Sequence, residues 1–415
     1  MNFQKTHTLS SNAGFTLIEL LLSTAVIAGL MYFLITTIDQ TQKVWVRTTE
    51  KVTEFQSARS AFESMTRRLS QATLNAYWRA HEADVAATKA DFRFRRQSEL
   101  QFISGSTARF FGASPQVSNL SAPLADAYPT HAVFFQAPIG YTEELPTTGS
   151  VKLPYYRNLD SLLATCGYFI EYGVDADRPA FINTMSPKLP DRYRFRLMEM
   201  TIPSERLTTF ARPTDDLGSS DPRTFDENNA YYGGMVDANR NSRSNWVRPL
   251  WMKEAFARTT TTPYRFTYAH VRAENVIALV ILPKLAEKDR VPKATDLELA
   301  PEYEFDSWRI LAGKTTKDPV TNISLDNTAR DNLLPPIIQV TMVAVDEKAV
   351  ARFGPDASKM QTWTKGLFTK AKLVSDYTAD IQTLEQRLID DPYKPNYRIF
   401  TADIVLRGSK WSRDP

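Results

Sequence analysis

The chain has 415 residues, 43% of them hydrophobic, and a formal net charge of +3. That apolar share supports a sizeable core and excludes a disordered chain. So small a charge sets up no strong field towards nucleic acid or an anionic surface. Length alone suggests two or three domains, or one elaborate one. The single cysteine, Cys166, can close no internal disulfide. The histidines, His7, His81, His131 and His270, lack metal-ligand spacing.

In chain order, the polar opening MNFQKTHTLSSNAG leads into FTLIELLLSTAVIAGLMYFLITTI, Phe15 to Ile38. A helix of about 24 residues is roughly 36 Å long, enough for a hydrocarbon core of about 30 Å. It exceeds the apolar region of a secretory signal, about 7–15 residues, and suits a signal anchor in length. Neither accounts for Glu19. A charge at mid-span costs about 2.5–3.5 kcal/mol. Near one end the cost is smaller, but it still asks for a partner. Lys5 and the amino group weakly favour a cytoplasmic amino end. Lys43 and Arg47, just past the run, blunt that preference.

The residues GFTLIE, Gly14 to Glu19, resemble the processing site of type IV prepilins. The resemblance implies that a membrane aspartyl prepilin peptidase cuts after Gly14 on the cytoplasmic side. Phe15 then becomes the new amino terminus and is N-methylated. Residues four apart share a helix face, so Glu19 is placed to meet the amine created on Phe15. That amine is either its own or, as the family implies, one on a neighbouring subunit. Either pairing lessens the desolvation cost. Only the second makes Glu19 an assembly determinant.

Beyond the apolar run, Phe55, Ala58, Phe62, Met65, Leu69, Ala72 and Ala76 recur at alternating spacings of three and four. They form one stripe of an amphipathic helix, and Arg59, Glu63, Arg67 and Arg68 take other positions. No proline or glycine falls between Met31 and Ala80. The pattern predicts one helix from about Phe15 to Tyr77, with the stripe packed on a soluble core.

Strand patterns follow. DFRFRRQ alternates Phe92 and Phe94 with Arg93 and Arg95, and RYRFRLM alternates Tyr193, Phe195 and Leu197 with Arg192, Arg194 and Arg196. Period two with one charged face predicts half-exposed strands with solvated arginines. Further strands are expected at Glu99–Ser104, His131–Ala137 and Gly167–Gly173. Glu274–Pro283 is apolar throughout and reads as one buried strand. Pro336–Asp346 should bury Ile338, Val340, Met342 and Ala344. Tyr397–Gly408 should bury Phe400, Ala402, Ile404 and Leu406. A late helix is expected through Leu367, Val374, Tyr377, Ile381, Leu384 and Leu388, ended by Pro392 and Pro395. The stretches 115–129, 203–245 and 284–301 read as surface loops.

The order of helix then mixed strands resembles minor pseudopilins of type II secretion systems, above all the large J-type subunit. Closer still is the family labelled Verru_Chthon cassette protein C. Its resemblance rests on FESMTRRLSQATLNAYW (62–78), CGYFIEYG (166–173), HVRAENVIALVILPK (270–284), LPPIIQVTMVAVDE (334–347) and YRIFTADIVLRGSKW (397–411). The resemblance implies an α+β, pilin-like fold. Its expected parts are a leader at 1–14, the transmembrane part of the helix at 15–38, its soluble half at 39–80, and a β-rich head with large loop insertions at 81–415.

No catalytic constellation stands out: there is no nucleophile elbow, zinc-protease helix or phosphate loop. Asp175 and Asp177 begin like a calcium loop but lack its third acidic position and its glycine. Asp226, Glu227 and Asp237 lie in a loop that reads as solvated. Cys166 reads as a small buried filler. The expectation is a non-enzyme without cofactor or metal. It would be held in the inner membrane by one span, with its leader in the cytoplasm and its head in the periplasm. Its partners would be the prepilin peptidase and other pilin-like subunits, met through the helix, with no nucleic acid. The alternative is a membrane-anchored module that captures a secreted substrate or a surface without forming a filament.

Overall fold

The structure, a computed structural model, describes residues 16–80, 94–98, 100–107, 128–142, 159, 161–174, 180–183, 185–187, 189, 191–204, 207, 268–284, 303–307, 316–317, 324–325, 333–353, 361–369 and 373–409. The chain divides into two units, Met1–Glu54 and Phe55–Pro415. Helix α1 spans Leu17–Leu69.

In the first unit, Leu17–Val46 is 30 residues long with mean hydropathy 2.1, long and apolar enough to cross a membrane. None of its residues is buried within the protein. Its serine and threonine hydroxyls bond to carbonyls of the helix itself, which would suit hydrocarbon surroundings. Thr24 donates to the Leu20 carbonyl at 3.0 Å, Thr37 to Phe33 at 2.8 Å and Thr41 to Thr37 at 2.8 Å. Lys43 pairs with Asp39 at 2.6 Å, so the first cation after the expected span brings its own counter-ion.

The second unit is α+β. Its strands are β1 (Tyr77–Ala80), β2 (Phe94–Gln97), β3 (Ile103–Ser106), β4 (His131–Pro138), β5 (Leu163–Val174), β6 (Tyr193–Ile202), β7 (Ala269–Glu274), β8 (Val276–Lys284), β9 (Phe305–Asp306), β10 (Thr316–Lys317), β11 (Ser324–Leu325), β12 (Ile337–Val345) and β13 (Tyr397–Val405). Short helices α2 (Ala180–Asn183), α3 (Glu347–Ala351) and α4 (Gln361–Thr364) precede α5 (Val374–Asp390). The larger sheet runs β7-β6-β5-β4-β3-β9 and the smaller β13-β12-β8, while β1-β2 and β10-β11 pair separately. Every pairing is antiparallel.

The stripe on α1 makes the core. Ala58, Phe62, Met65, Leu69 and Ala72 are buried, Phe55 is half-buried, and Ala76 is exposed beyond the helix. Complete burial of Met65 and Leu69 stabilises the fold by about 1.5–3 kcal/mol each. The Phe62 ring packs 5.8 Å from Phe400 of β13. On the other face of that sheet, Tyr377 of α5 bonds Thr341 of β12 at 2.7 Å. Phe400 lies opposite Met342 and Thr401 opposite Thr341, and alternate strand positions point to opposite faces. The small sheet is therefore held between α1 and α5.

Several expectations change. Helix α1 stops at Leu69, short of Tyr77, although no glycine or proline ends it. Gln71 and Ala72 donate to Arg68 and Leu69, tightening the last turn, and Thr73 then donates to the Gln136 carbonyl of β4 at 3.0 Å. A tertiary bond supplies the stop. Glu274–Pro283 is not one strand: Asn275 breaks it at φ 60, a left-handed geometry that asparagine tolerates. The Asn275 N–H donates to Phe195 of β6, and its carbonyl accepts from Val345 of β12, so one residue ties both sheets. Phe400 and Ala402 are only half-buried, because β13 is an edge strand, while Ile404 and Leu406 are buried. Leu367 is buried but precedes the late helix. The strand expected from Glu99 starts at Ile103, and the one from Asp91 is described from Phe94.

Arg194 and Arg196 overturn the solvated-face expectation. Each is 5% exposed, because both faces of β6 are covered. On that second face Gly167 of β5 makes room for its neighbours. A Cβ there would lie 2.3 Å from Phe134 Cδ1, 2.6 Å from Cε1 and 3.1 Å from the Met200 methyl. Gly167→Ala should therefore lower the unfolding free energy by about 1–3 kcal/mol through overpacking, read as a lower midpoint in urea denaturation.

Candidate functional site at the amino-terminal helix

Gly14 and Phe15, the expected cleavage and methylation positions, lie outside the described residues. Glu19 is described, and it is exposed in the first turn of α1. Its Oε2 accepts from the Thr16 N–H at 3.2 Å and from the Thr16 hydroxyl at 3.0 Å. The Glu19 N–H donates back to Thr16 Oγ1 at 3.4 Å. This reciprocal pair is a capping box: it satisfies amide donors that a helix start leaves without intrahelical partners. A carboxylate in the first turn also suits the positive end of the helix dipole. The expected partner was the amine of Phe15, and the cap was missed. The signal for it is the Thr-x-x-Glu spacing within GFTLIE. The cap uses only Oε2. Among the described residues Glu19 Oε1 accepts no hydrogen bond.

The head has its own charged hub. Glu199 Oε1 accepts from the Tyr168 hydroxyl at 2.6 Å and pairs with Arg68 of α1 at 2.9 Å. Glu199 Oε2 lies 3.5 Å from Arg272 of β7, whose guanidinium donates to Ser64 of α1 at 3.1 Å. The carboxylate thus joins three strands to the last turns of α1. Burial, with Glu199 alongside, pushes the Tyr168 phenol above its usual range. Burial likewise pushes the Cys166 thiol up to about 12. A thiol so held is no nucleophile at neutral pH, which agrees with the expected filler role.

A second cluster lies on the other face of the larger sheet. Arg194 donates to Glu347 of α3 at 2.8 Å and pairs with Glu274, and Arg192 also reaches Glu347. Arg196 pairs with Glu171 of β5 at 3.3 Å, and Tyr128 donates to the same carboxylate. The strand that looked half-exposed carries buried charge because its counter-ions come from elements distant in sequence.

His131 is wholly buried, and backbone groups take both of its nitrogens. Nε2 lies 2.7 Å from the Phe368 carbonyl, and Nδ1 accepts from the Ile281 N–H at 3.1 Å. In the neutral ring neither nitrogen is left to bind a metal. His270 is exposed. Asp391 caps the end of α5 and accepts from Arg352 at 2.6 Å and Trp363 at 3.0 Å. Among the described residues no group of three or more His, Cys, Asp or Glu is placed to hold a metal ion. Asp175, Asp177, Asp226, Glu227 and Asp237 lie outside them.

Comparison of the chain with protein-family models, curated proteins and solved structures finds no match.

The arginine cluster makes a stability prediction. Arg196 and Glu171 have side chains 7% exposed each. Glu171→Leu should cost about 3–5 kcal/mol by leaving a buried guanidinium without its counter-charge. Adding Arg196→Met should recover much of the loss, measured by urea unfolding of both variants.

Proposed function

We propose that the chain is a prepilin-like membrane protein, trimmed after Gly14 by a prepilin peptidase and assembled as a minor subunit of a short type II secretion or type IV pilus-like filament. The carrying observation is the sequence GFTLIE at the start of a 30-residue apolar helical stretch, none of which is buried within the protein. The leader would face the cytoplasm, and the head the periplasm. Cleavage would place a cationic amine on Phe15, one residue before the Thr16 cap. Glu19 keeps Oε1 for such an amine while Oε2 holds the helix start. Its neighbours in the filament would be other pilin-like subunits, packed helix against helix. A large head crowds close neighbours, which favours a tip or minor position.

Two substitutions separate the steps. Gly14→Ala should leave the leader attached, seen as an unprocessed mass; a mature mass in that variant would rule out the peptidase cut. Glu19→Ala should insert and be cleaved but fail to co-purify with its filament partners. Glu19→Gln separates the roles of cap and charge. Its amide oxygen keeps the bonds to Thr16, so loss of assembly in Gln as in Ala assigns the role to charge, and normal assembly assigns it to the cap.

A further inference from the structure

The smaller sheet has one edge, β8, that faces β4 of the larger sheet. Two of its outward amides are taken by side chains. The Leu279 N–H donates to Thr130 Oγ1 at 3.0 Å, and the Ile281 N–H donates to His131 Nδ1 at 3.1 Å. The Ile281 bond requires Nδ1 to be bare, so the proton sits on Nε2 and is given to the Phe368 carbonyl at 2.7 Å. A closed circuit surrounds the ring. The Phe368 N–H donates to Asp380 Oδ2 at 3.0 Å, the Tyr303 hydroxyl donates to the same oxygen at 3.1 Å, and the Tyr303 ring lies 5.0 Å from the imidazole. Three residues of this circuit hold left-handed backbone without being glycine: Thr130 at φ 62, Tyr303 at φ 64 and Phe368 at φ 56. Such outliers persist only where the surroundings over-determine them, and they gather at switches and clamps.

We propose that His131 is a proton-operated bolt between the two sheets: the neutral imidazole holds β8 against β4, and a proton on Nδ1 releases that edge while Asn275 keeps the sheets joined. An imidazolium has two donors and no acceptor. The Ile281 N–H would then face another N–H, and one of the two bonds that close the seam would be lost, leaving Leu279–Thr130 to hold it alone. The Phe368 bond survives protonation, so the opening is confined to the β4–β8 side.

The groups facing the ring allow this. Segment 303–307 brings Tyr303, with Glu304 beside it against Gly105. Helix α5 brings Asp380, reached through the Tyr303 hydroxyl and the Phe368 amide, with Asp376 and Arg387 acting on it in turn. β8 brings Leu279 and Ile281, and β3 brings Ser106 opposite His131, none of them titratable near neutral pH. Among the described residues no carboxylate bonds to the imidazole to hold a proton on it. Burial pushes the imidazole down to about 4, with the Phe368 carbonyl opposing. An opened, hydrated imidazole takes its proton near about 6.5. The closed state is therefore complete above that pH. Its ratio to the open state falls by about tenfold per pH unit as the medium moves from there towards about 4.

Hydrogen–deuterium exchange on the full chain in detergent micelles tests this, with protection corrected for the intrinsic effect of pH. Between pH 7 and pH 4.5 the outward amides of β8 should lose protection by up to about a hundredfold, while β12 in the same sheet keeps its own. His131→Gln, a neutral acceptor and donor, should abolish the loss. Unchanged β8 protection, equal loss in β12, or the same loss in His131→Gln would each overturn the bolt. Should the variant not fold, the imidazole nitrogen resonances of the unaltered chain decide. Nδ1 must be bare at pH 7 and gain its proton in step with β8 opening; a midpoint out of step rejects the proposal.

Discussion

Burial of the α1 stripe is the constraint on which the head depends. Met65 and Leu69 reach no solvent, and the same cluster takes in Phe135 and Tyr168 from the larger sheet and Met342 and Ile404 from the smaller. Neither sheet supplies that core alone. The small sheet has α1 on one face and α5 on the other, and the large sheet turns Val133, Phe135, Tyr168 and Leu197 towards the same cluster. Polar bonds then fix what apolar packing leaves free. Packing sets which face of α1 is inward; Glu199, holding Arg68 and reaching Ser64 through Arg272, sets where its last turns stop along the strands. A hydrophobic contact tolerates sliding, and a carboxylate with three defined donors does not.

The two sheets meet at joints of different character. At Asn275 the joint is covalent, since β7 and β8 are one run of chain with a left-handed residue between them. At His131 and Thr130 it is made of side chains that imitate a missing strand by accepting β8 amides. Burial leaves those amides no water to fall back on, so the acceptors are obligatory. Among the described residues the outer edge, β13, has no such side-chain cover. Asp403 and Arg398 are exposed along it, and charge is the usual guard of an open edge.

Much of this was legible where the signal is local. The stripe from Phe55 to Ala72, the buried alternation of Ile338 to Ala344 and the late helix follow from periodicity, because one face of each element meets one core. The losses share a cause: the deciding partner is remote in sequence. Arg194 and Arg196 read as solvated because Glu274, Glu347 and Glu171 cannot be seen from RYRFRLM. The helix stops at Leu69 as the Thr73 N–H turns to the carbonyl of Gln136, which no local propensity encodes. Asn275 sits inside an apolar run and gives no turn signal strong enough to divide it. His131 looked like one of four scattered histidines, because both of its partners are backbone groups and leave no trace in residue identity.

Glu19 is the opposite case, since its partner is three residues away. The carboxylate would be costly in an apolar helix only if it had nothing to bind. Thr16 gives it the helix start, and helix starts always carry amides in need of acceptors. An acid at this place therefore stabilises the helix start by itself. That removes the need to invoke assembly as the sole reason for its presence. It also changes what assembly asks of it. Under the proposed assembly the residue would need only a second oxygen, and Oε1 accepts no hydrogen bond among the described residues. Under the proposed cleavage, its one carboxylate would serve both the fold and a neighbour's amine.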